Sequence, residues 1–247
     1  MIIDSLLESI QTGFIDKSIP SDKIYRPQLL TNDHRVGKKV LWTIQQELEQ
    51  CDEFWFSVAF ITTGGVATII NTLSELEKKN IKGKVLASQY LNFTHPEALS
   101  RLKKFKNIEL KIAIEGDFHS KGYLFRKADL YNLIIGSSNL TQTALCSNKE
   151  WNLKVSGTKE SELINQAILE FKKEFETSAD VTNEFLTNYD FLWKARKLFN
   201  SEILEKETHI DTFRPKPNLM QREALNNIWG LKQNVQSKVI LKGIDSK

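Results

Sequence analysis

His119 and Lys121 stand two residues apart in FHSKGYLF (118–125), and a short way on IIGSSNLTQTA (134–144) carries Gly136-Ser137-Ser138-Asn139. On a strand, positions i and i+2 project from one face, so an imidazole would stand beside an ammonium. A neutral imidazole can attack phosphorus or protonate a leaving oxygen, and a lysine offers compact positive charge to the non-bridging oxygens of a phosphate. Asn139, at the end of the apolar strand LIIGSS, would add an amide donor to those oxygens, with Ser137 and Ser138 beside it as substrate contacts. Gly136 would let the backbone come close. Glu150, in NKEWN, would accept the proton of the histidine's other nitrogen and fix its tautomer. Taken singly, each piece has an ordinary reading: His-x-Lys as an exposed strand edge, Gly-Ser-Ser-Asn as a turn.

Apolar periodicity supplies the elements that must position these groups. Val36, Val40, Leu41, Ile44 and Leu48 share a helical face within 33–50, and EFWFSVAFI (53–61) reads as a buried strand rich in aromatic residues. Val66, Ile69, Ile70, Leu73 and Leu76 again have helical spacing. VLAS (85–88) is a short strand, and HPEALSRLKKF (95–105) is a helix with Pro96 in its first turn. NIELKIAI alternates cleanly, and HSKGYLFR, YNLIIGS and EWNLKVS follow as strands. From about residue 159 the pattern is helical. The fold class expected is α/β, a mixed β-sheet flanked by helices with a helical C-terminal extension. The expected boundaries are a core over 1–157, a helical extension over 158–210 and a separate tail over 211–247.

A chain of 247 residues with 40% hydrophobic residues suffices for one sizeable domain and an appendage. Thirty-four Lys and Arg against 31 Asp and Glu make it mildly basic, which permits nucleic acid as a partner without requiring it. Two cysteines, Cys51 and Cys146, are too few for a disulfide framework or a four-cysteine zinc site. Asp4 and Glu8 interrupt the stretch where a signal peptide needs continuous apolar residues, and no run reaches the ~18 apolar residues of a membrane span. A soluble, cytoplasmic protein is expected. His34, His95 and His209 lack ligand-spaced partners, and Glu75 and Glu77 read as the solvated face of a helix, so neither metal nor cofactor is expected. Lys78, Lys79, Lys82 and Lys84, and likewise Arg101, Lys103, Lys104 and Lys106, would either follow a DNA backbone or form solvated faces. In SQYLNFT (88–94), Tyr90 and Asn92 would touch a nucleotide or belong to a plain packed loop.

In combination, His119-Ser120-Lys121 and Gly136-Ser137-Ser138-Asn139 on consecutive strands resemble the signature of the phospholipase D superfamily, over about residues 30–157. Glu150, soon after the asparagine in Asn148-Lys149-Glu150-Trp151-Asn152, resembles the nuclease branch rather than the lipid-cleaving one. The resemblance implies a phospholipase D-like fold and a metal-free, two-step cleavage of DNA. One histidine attacks phosphorus, a second protonates the leaving oxygen, and water reverses the process. With a single His-x-Lys per chain, it implies a homodimer whose shared site takes His119, Lys121, Asn139 and Glu150 from both copies. Many members carry Asp five residues after the Lys, where this chain has Arg126. Either Glu150 carries part of that role or the site is weakened, and the second case implies a non-cleaving nucleic-acid-binding and dimerisation module. The tail from Pro215, PKPNLMQREALNNIWGLKQNVQSKVILKG, resembles the approach to the first motor domain of superfamily-two helicases, with Gln221 as the adenine-reading residue. KGIDSK stands where Gly-x-Gly-Lys-Thr would follow. The expectation is a nuclease module from a helicase-linked restriction or defence protein, either a fragment of a longer nuclease–helicase fusion or the product of a gene that has lost its motor. The other reading of 217–232 is an amphipathic helix packed through Leu219, Ala224, Leu225 and Ile228.

Overall fold

The computed structural model describes residues 2–15, 22–89, 93–114, 118–207 and 222, the side chains of 196–207 excepted. The chain divides into two units, Met1–Thr187 and Asn188–Lys247. In the second, the described backbone is the continuation of a helix, Asn183–Glu207, and residue 222. The helicase-like tail and Gln221 lie outside the described residues.

Eight strands in the first unit form one mixed sheet: β1 (Gln28–Leu30), β2 (Glu53–Val58), β3 (Lys82–Ser88), β4 (Ile108–Ala113), β5 (Lys121–Lys127), β6 (Leu130–Gly136), β7 (Asn152–Thr158) and β8 (Ala179–Asp180). Their spatial order is β1-β7-β6-β5-β2-β3-β4-β8. β2, β3 and β4 run parallel through helical crossovers, and β5, β6 and β7 are joined antiparallel. This is the mixed, helix-flanked sheet that the alternating and then closely spaced strand patterns predict.

Alternation in β2 assigns the two faces of the sheet. Phe54 and Phe56 pair across the ladder with Phe125 and Tyr123, and the Phe56 ring packs edge to face on both Tyr123 and Phe125 on one side. Trp55 points to the other side, where its ring stacks on Phe171 of α6 (Glu162–Thr177). Leu124, Leu133, Val155, Ile164 and Ile168 complete the apolar contact beneath α6. The first side carries α2 (Val40–Gln50), α3 (Thr63–Lys78) and α4 (Pro96–Lys103). Within that layer Glu47 of α2 forms a buried ion pair with Lys154 (2.5 Å) and accepts from Asn132 Nδ2 (2.7 Å), whose Oδ1 in turn accepts from Ser156 Oγ (2.6 Å).

The helix expected from residue 33 begins instead at Val40. Asp33 and Lys38 close a tight turn through two 2.9 Å backbone hydrogen bonds, with Gly37 at φ +70, a left-handed conformation that glycine adopts without strain. Asn32 Oδ1 takes the Val40 N–H. Val36, placed by its spacing on the buried face, is 64% exposed.

Candidate functional site

Antiparallel pairing of β5, β6 and β7 beside parallel β2 and β3 brings five chain ends to one edge of the sheet: the ends of β2, β3 and β6 and the starts of β5 and β7. Lys121 opens β5 opposite Val58, and His119 lies just outside the strand, tied in by Ala59 N–H donating to Ser120 O (2.8 Å). The strand expected over HSKGYLFR therefore starts two residues later. Even so, Lys121 Nζ lies 3.0 Å from His119 Nδ1 and 3.3 Å from Nε2, and it donates to the His119 carbonyl at 2.9 Å.

Phe60, which the sequence reading passed over, forms the wall behind this pair. Its ring meets the His119 imidazole edge to face at 5.8 Å, and the Lys121 ammonium lies 5.8 Å from its centroid. Its backbone holds the next component. Phe60 N–H donates to Asn139 Oδ1 (3.1 Å), and Phe60 O accepts from Leu140 N–H (3.2 Å). With Oδ1 so engaged, the carboxamide of Asn139 presents its –NH2 group as the remaining donor.

The Gly-Ser-Ser-Asn element is held by β7. A Cβ on Gly136 would sit 2.2 Å from Trp151 O, so glycine here serves the approach of two strands, a reason different from the ligand approach expected of it. We expect Gly136→Ala to separate β6 from β7 and cost about 1–3 kcal/mol, the range for overpacking. A thermal melt unchanged from the parent would refute that contact. Ser138 is fully buried, with Oγ accepting from Asn152 Nδ2 (2.9 Å) and its own N–H donating to Asn152 Oδ1 (3.1 Å). Its carbonyl takes the hydroxyl of buried Tyr123 (3.0 Å). Ser138, read from the sequence as a substrate contact, is thus committed to the protein's own Asn152. Ser137 is exposed and donates to Glu150 Oε2, while accepting from Trp151 N–H (3.0 Å). Tyr90 and Asn92 lie outside the described residues.

Electrostatics at the pair run in one direction. Desolvation, then the Lys121 charge, hold the His119 pKa below its ordinary value, favouring the neutral imidazole. Desolvation also lowers Lys121, with Glu150 opposing it by favouring the ammonium. Neutral imidazole, flanking ammonium and a carboxamide donor form an arrangement able to attack phosphorus and bind its oxygens.

Arg126 lies at the opposite end of β5, about 17 Å from Lys121 by strand rise, and forms an ion pair with Glu53 at 3.2 Å. Its departure from the resembled pattern falls outside the constellation. Both basic runs weighed as DNA tracks also lie at that far end, where α3 passes into β3 and α4 into β4. Lys78 and Arg101 are paired there with Glu75 and Glu97. Among the described residues no group of three or more His, Cys, Asp or Glu could hold a metal ion, and no helix is long and apolar enough to cross a membrane.

Comparison with known proteins follows the same outline. The model of the family described as "Cardiolipin synthase, PLD-like domain" matches residues 44–177. Among solved structures, NucT from Helicobacter pylori is similar at 16% identity and TM-score 0.50, over 63% of this chain and 98% of that one. Nuc from Salmonella typhimurium, a phospholipase D family member, is similar at 14% identity and TM-score 0.50, over 64% and 100%. Phosphatidylserine synthase from Haemophilus influenzae Rd KW20 gives 14% identity and TM-score 0.53 over 77% of this chain and 49% of its own. No curated protein matches.

Proposed function

Because the chain belongs to the PLD-like domain family, we propose that it hydrolyses phosphodiester bonds of DNA through a phosphohistidine at His119. The observation that carries this reading is the His119–Lys121 contact at the sheet edge that also holds Asn139 and Glu150. In the first step a neutral imidazole nitrogen forms a bond to phosphorus and the bond to the leaving oxygen breaks. That oxygen takes a proton from a second, protonated histidine. In the second step this histidine, now neutral, takes a proton from water, the hydroxide oxygen attacks phosphorus, and the phosphorus–nitrogen bond breaks. Lys121 and the –NH2 of Asn139 neutralise and orient the non-bridging oxygens, and Glu150, held by Ser137, sustains the Lys121 charge.

A second catalytic histidine comes from another copy of the chain in this proposal, so the active species is a homodimer. Sedimentation as a monomer under assay conditions would count against it. The chain acts within a helicase-linked restriction or defence protein, a part of the proposal that rests on the tail from Pro215 alone.

The pKa direction sets a pH expectation. The nucleophile must be neutral, so a lowered His119 pKa keeps it competent into more acid solution. The acid limb of kcat/KM should fall below the ordinary histidine value of about 6.5. Its C2 proton resonance, assigned with His119→Ala, should titrate there too. A midpoint above the ordinary value would contradict the desolvation and the opposing Lys121 charge at this position. Cleavage of plasmid and single-stranded DNA in excess EDTA, wild type beside His119→Ala, tests the reaction itself.

A further inference from the structure

The edge that carries His119 continues past β7 to β1, where Leu30 pairs with Asn152. The turn Asp33–Lys38 leaves from this corner, and Asn32 Nδ2 ties it to the short helix Gln142–Cys146 and to the loop before Glu150 by donating to Ala144 O and Asn148 O (both 2.8 Å). Arg35, Lys38 and Lys39 on this turn, and Lys149 across from it, are all exposed. None of the four is in an ion pair with a described residue; at the far end of the sheet Lys78 and Arg101 are paired, while Lys79, Lys103, Lys104 and Lys106 are not paired with a described residue either. At the same corner, immediately before the Asn152 that pairs with Leu30, stands Trp151, 72% exposed. Its backbone is fixed on both sides, N–H to Ser137 Oγ and C=O to Ser137 N–H (3.1 Å), so the indole projects from a rigid base one residue from Glu150.

An exposed, backbone-anchored indole beside uncompensated cations combines a stacking surface with a phosphate track, the two components of single-strand recognition. We propose that Trp151 with Arg35, Lys38, Lys39 and Lys149 forms a single-stranded nucleic-acid arm leading into the site, an inference that rests on the reading of that site as acting on nucleic acid. A base stacks on Trp151, and the flanking phosphates lie along the turn. Three strand spacings separate β5 from β1, about 14 Å, so the arm engages nucleotides a few positions from the scissile bond. Paired bases present no free face to the indole, which makes the arm selective for single strands.

The test is anisotropy of a fluorescein-labelled single-stranded oligonucleotide and of the matching duplex. It is run over a salt series with the full chain on a His119→Ala background, so that binding is read apart from cleavage. Trp151→Ala should weaken single-strand binding about tenfold and duplex binding far less, with Trp151→Phe close to the parent. The combined Arg35→Ala, Lys38→Ala, Lys39→Ala chain should lower the slope of log affinity against log salt by about 2, at ~0.7 per phosphate contact. Circular dichroism checks that each variant folds. Unchanged binding in the folded variants, equal loss on both substrates, or no single-strand binding by the parent would overturn the arm. So would Trp151→Ala turning a dimer into a monomer, since a second copy would then cover the indole. If hydrolysis is absent and the arm variants still lose binding as stated, the arm stands while the catalytic reading falls.

Discussion

His119→Ala is expected to reduce DNA cleavage in EDTA by about 10^4-fold or more, the scale of removing a covalent nucleophile. Wild type stopped by denaturation during turnover should carry labelled phosphate in an acid-labile, base-stable linkage that the variant lacks. The size of the effect follows from the arrangement. Phe60 at its edge and Lys121 at 3.0 Å hold the imidazole in a partly desolvated place where its neutral form is favoured. Lys121→Met should lose less than His119→Ala but still a large factor, because it removes charge stabilisation and leaves the nucleophile. The same substitution should raise the His119 midpoint, having removed a cation that opposes protonation. Equal cleavage by wild type and His119→Ala would end the proposal.

Glu47→Ala should be the most damaging substitution away from that edge. It leaves Lys154, 6% exposed, as an unpaired charge and takes the acceptor from Asn132 Nδ2. Breaking one partner of a buried pair costs about 3–5 kcal/mol. At roughly 2–4 °C per kcal/mol for a domain of this size, a fall in Tm of about 10 °C is expected. Replacing both charges, as in Glu47→Leu with Lys154→Met, should recover much of the loss, since the pair's cost lies in leaving one charge uncompensated. A single variant that melts like the parent would mean that water reaches this layer.

The order and kind of the main elements were legible because the physical cause is local. Alternation in NIELKIAI and the short apolar run in YNLIIGS need only a pleated backbone with one or two buried faces, and the Val66 to Leu76 spacing needs only a helix on a sheet. Short pieces carried too little pattern: β1 and β8 have three and two residues, and their existence depends on a neighbouring strand edge. The helix start at 33 failed because the Asp33–Lys38 turn is closed by backbone hydrogen bonds and by Asn32, none of which alters apolar spacing.

By itself, the sequence showed which residue types could serve phosphate chemistry and that they would lie at strand ends, since His-x-Lys and Gly-Ser-Ser-Asn border apolar runs. Of them the strands hold Lys121 and Gly136, with His119, Ser137, Ser138 and Asn139 in the adjoining loops. Only the tertiary structure decided their tasks. Ser138 became a buried partner of Asn152, Ser137 the holder of Glu150, and Phe60 the wall that fixes both His119 and Asn139, because those roles arise from strands adjacent in space and distant in the chain. Strand direction likewise sent Arg126 and both lysine-rich runs to the far end of the sheet and left Arg35, Lys38 and Trp151 at the near one. Charge along a chain does not reveal which end of a sheet it will occupy.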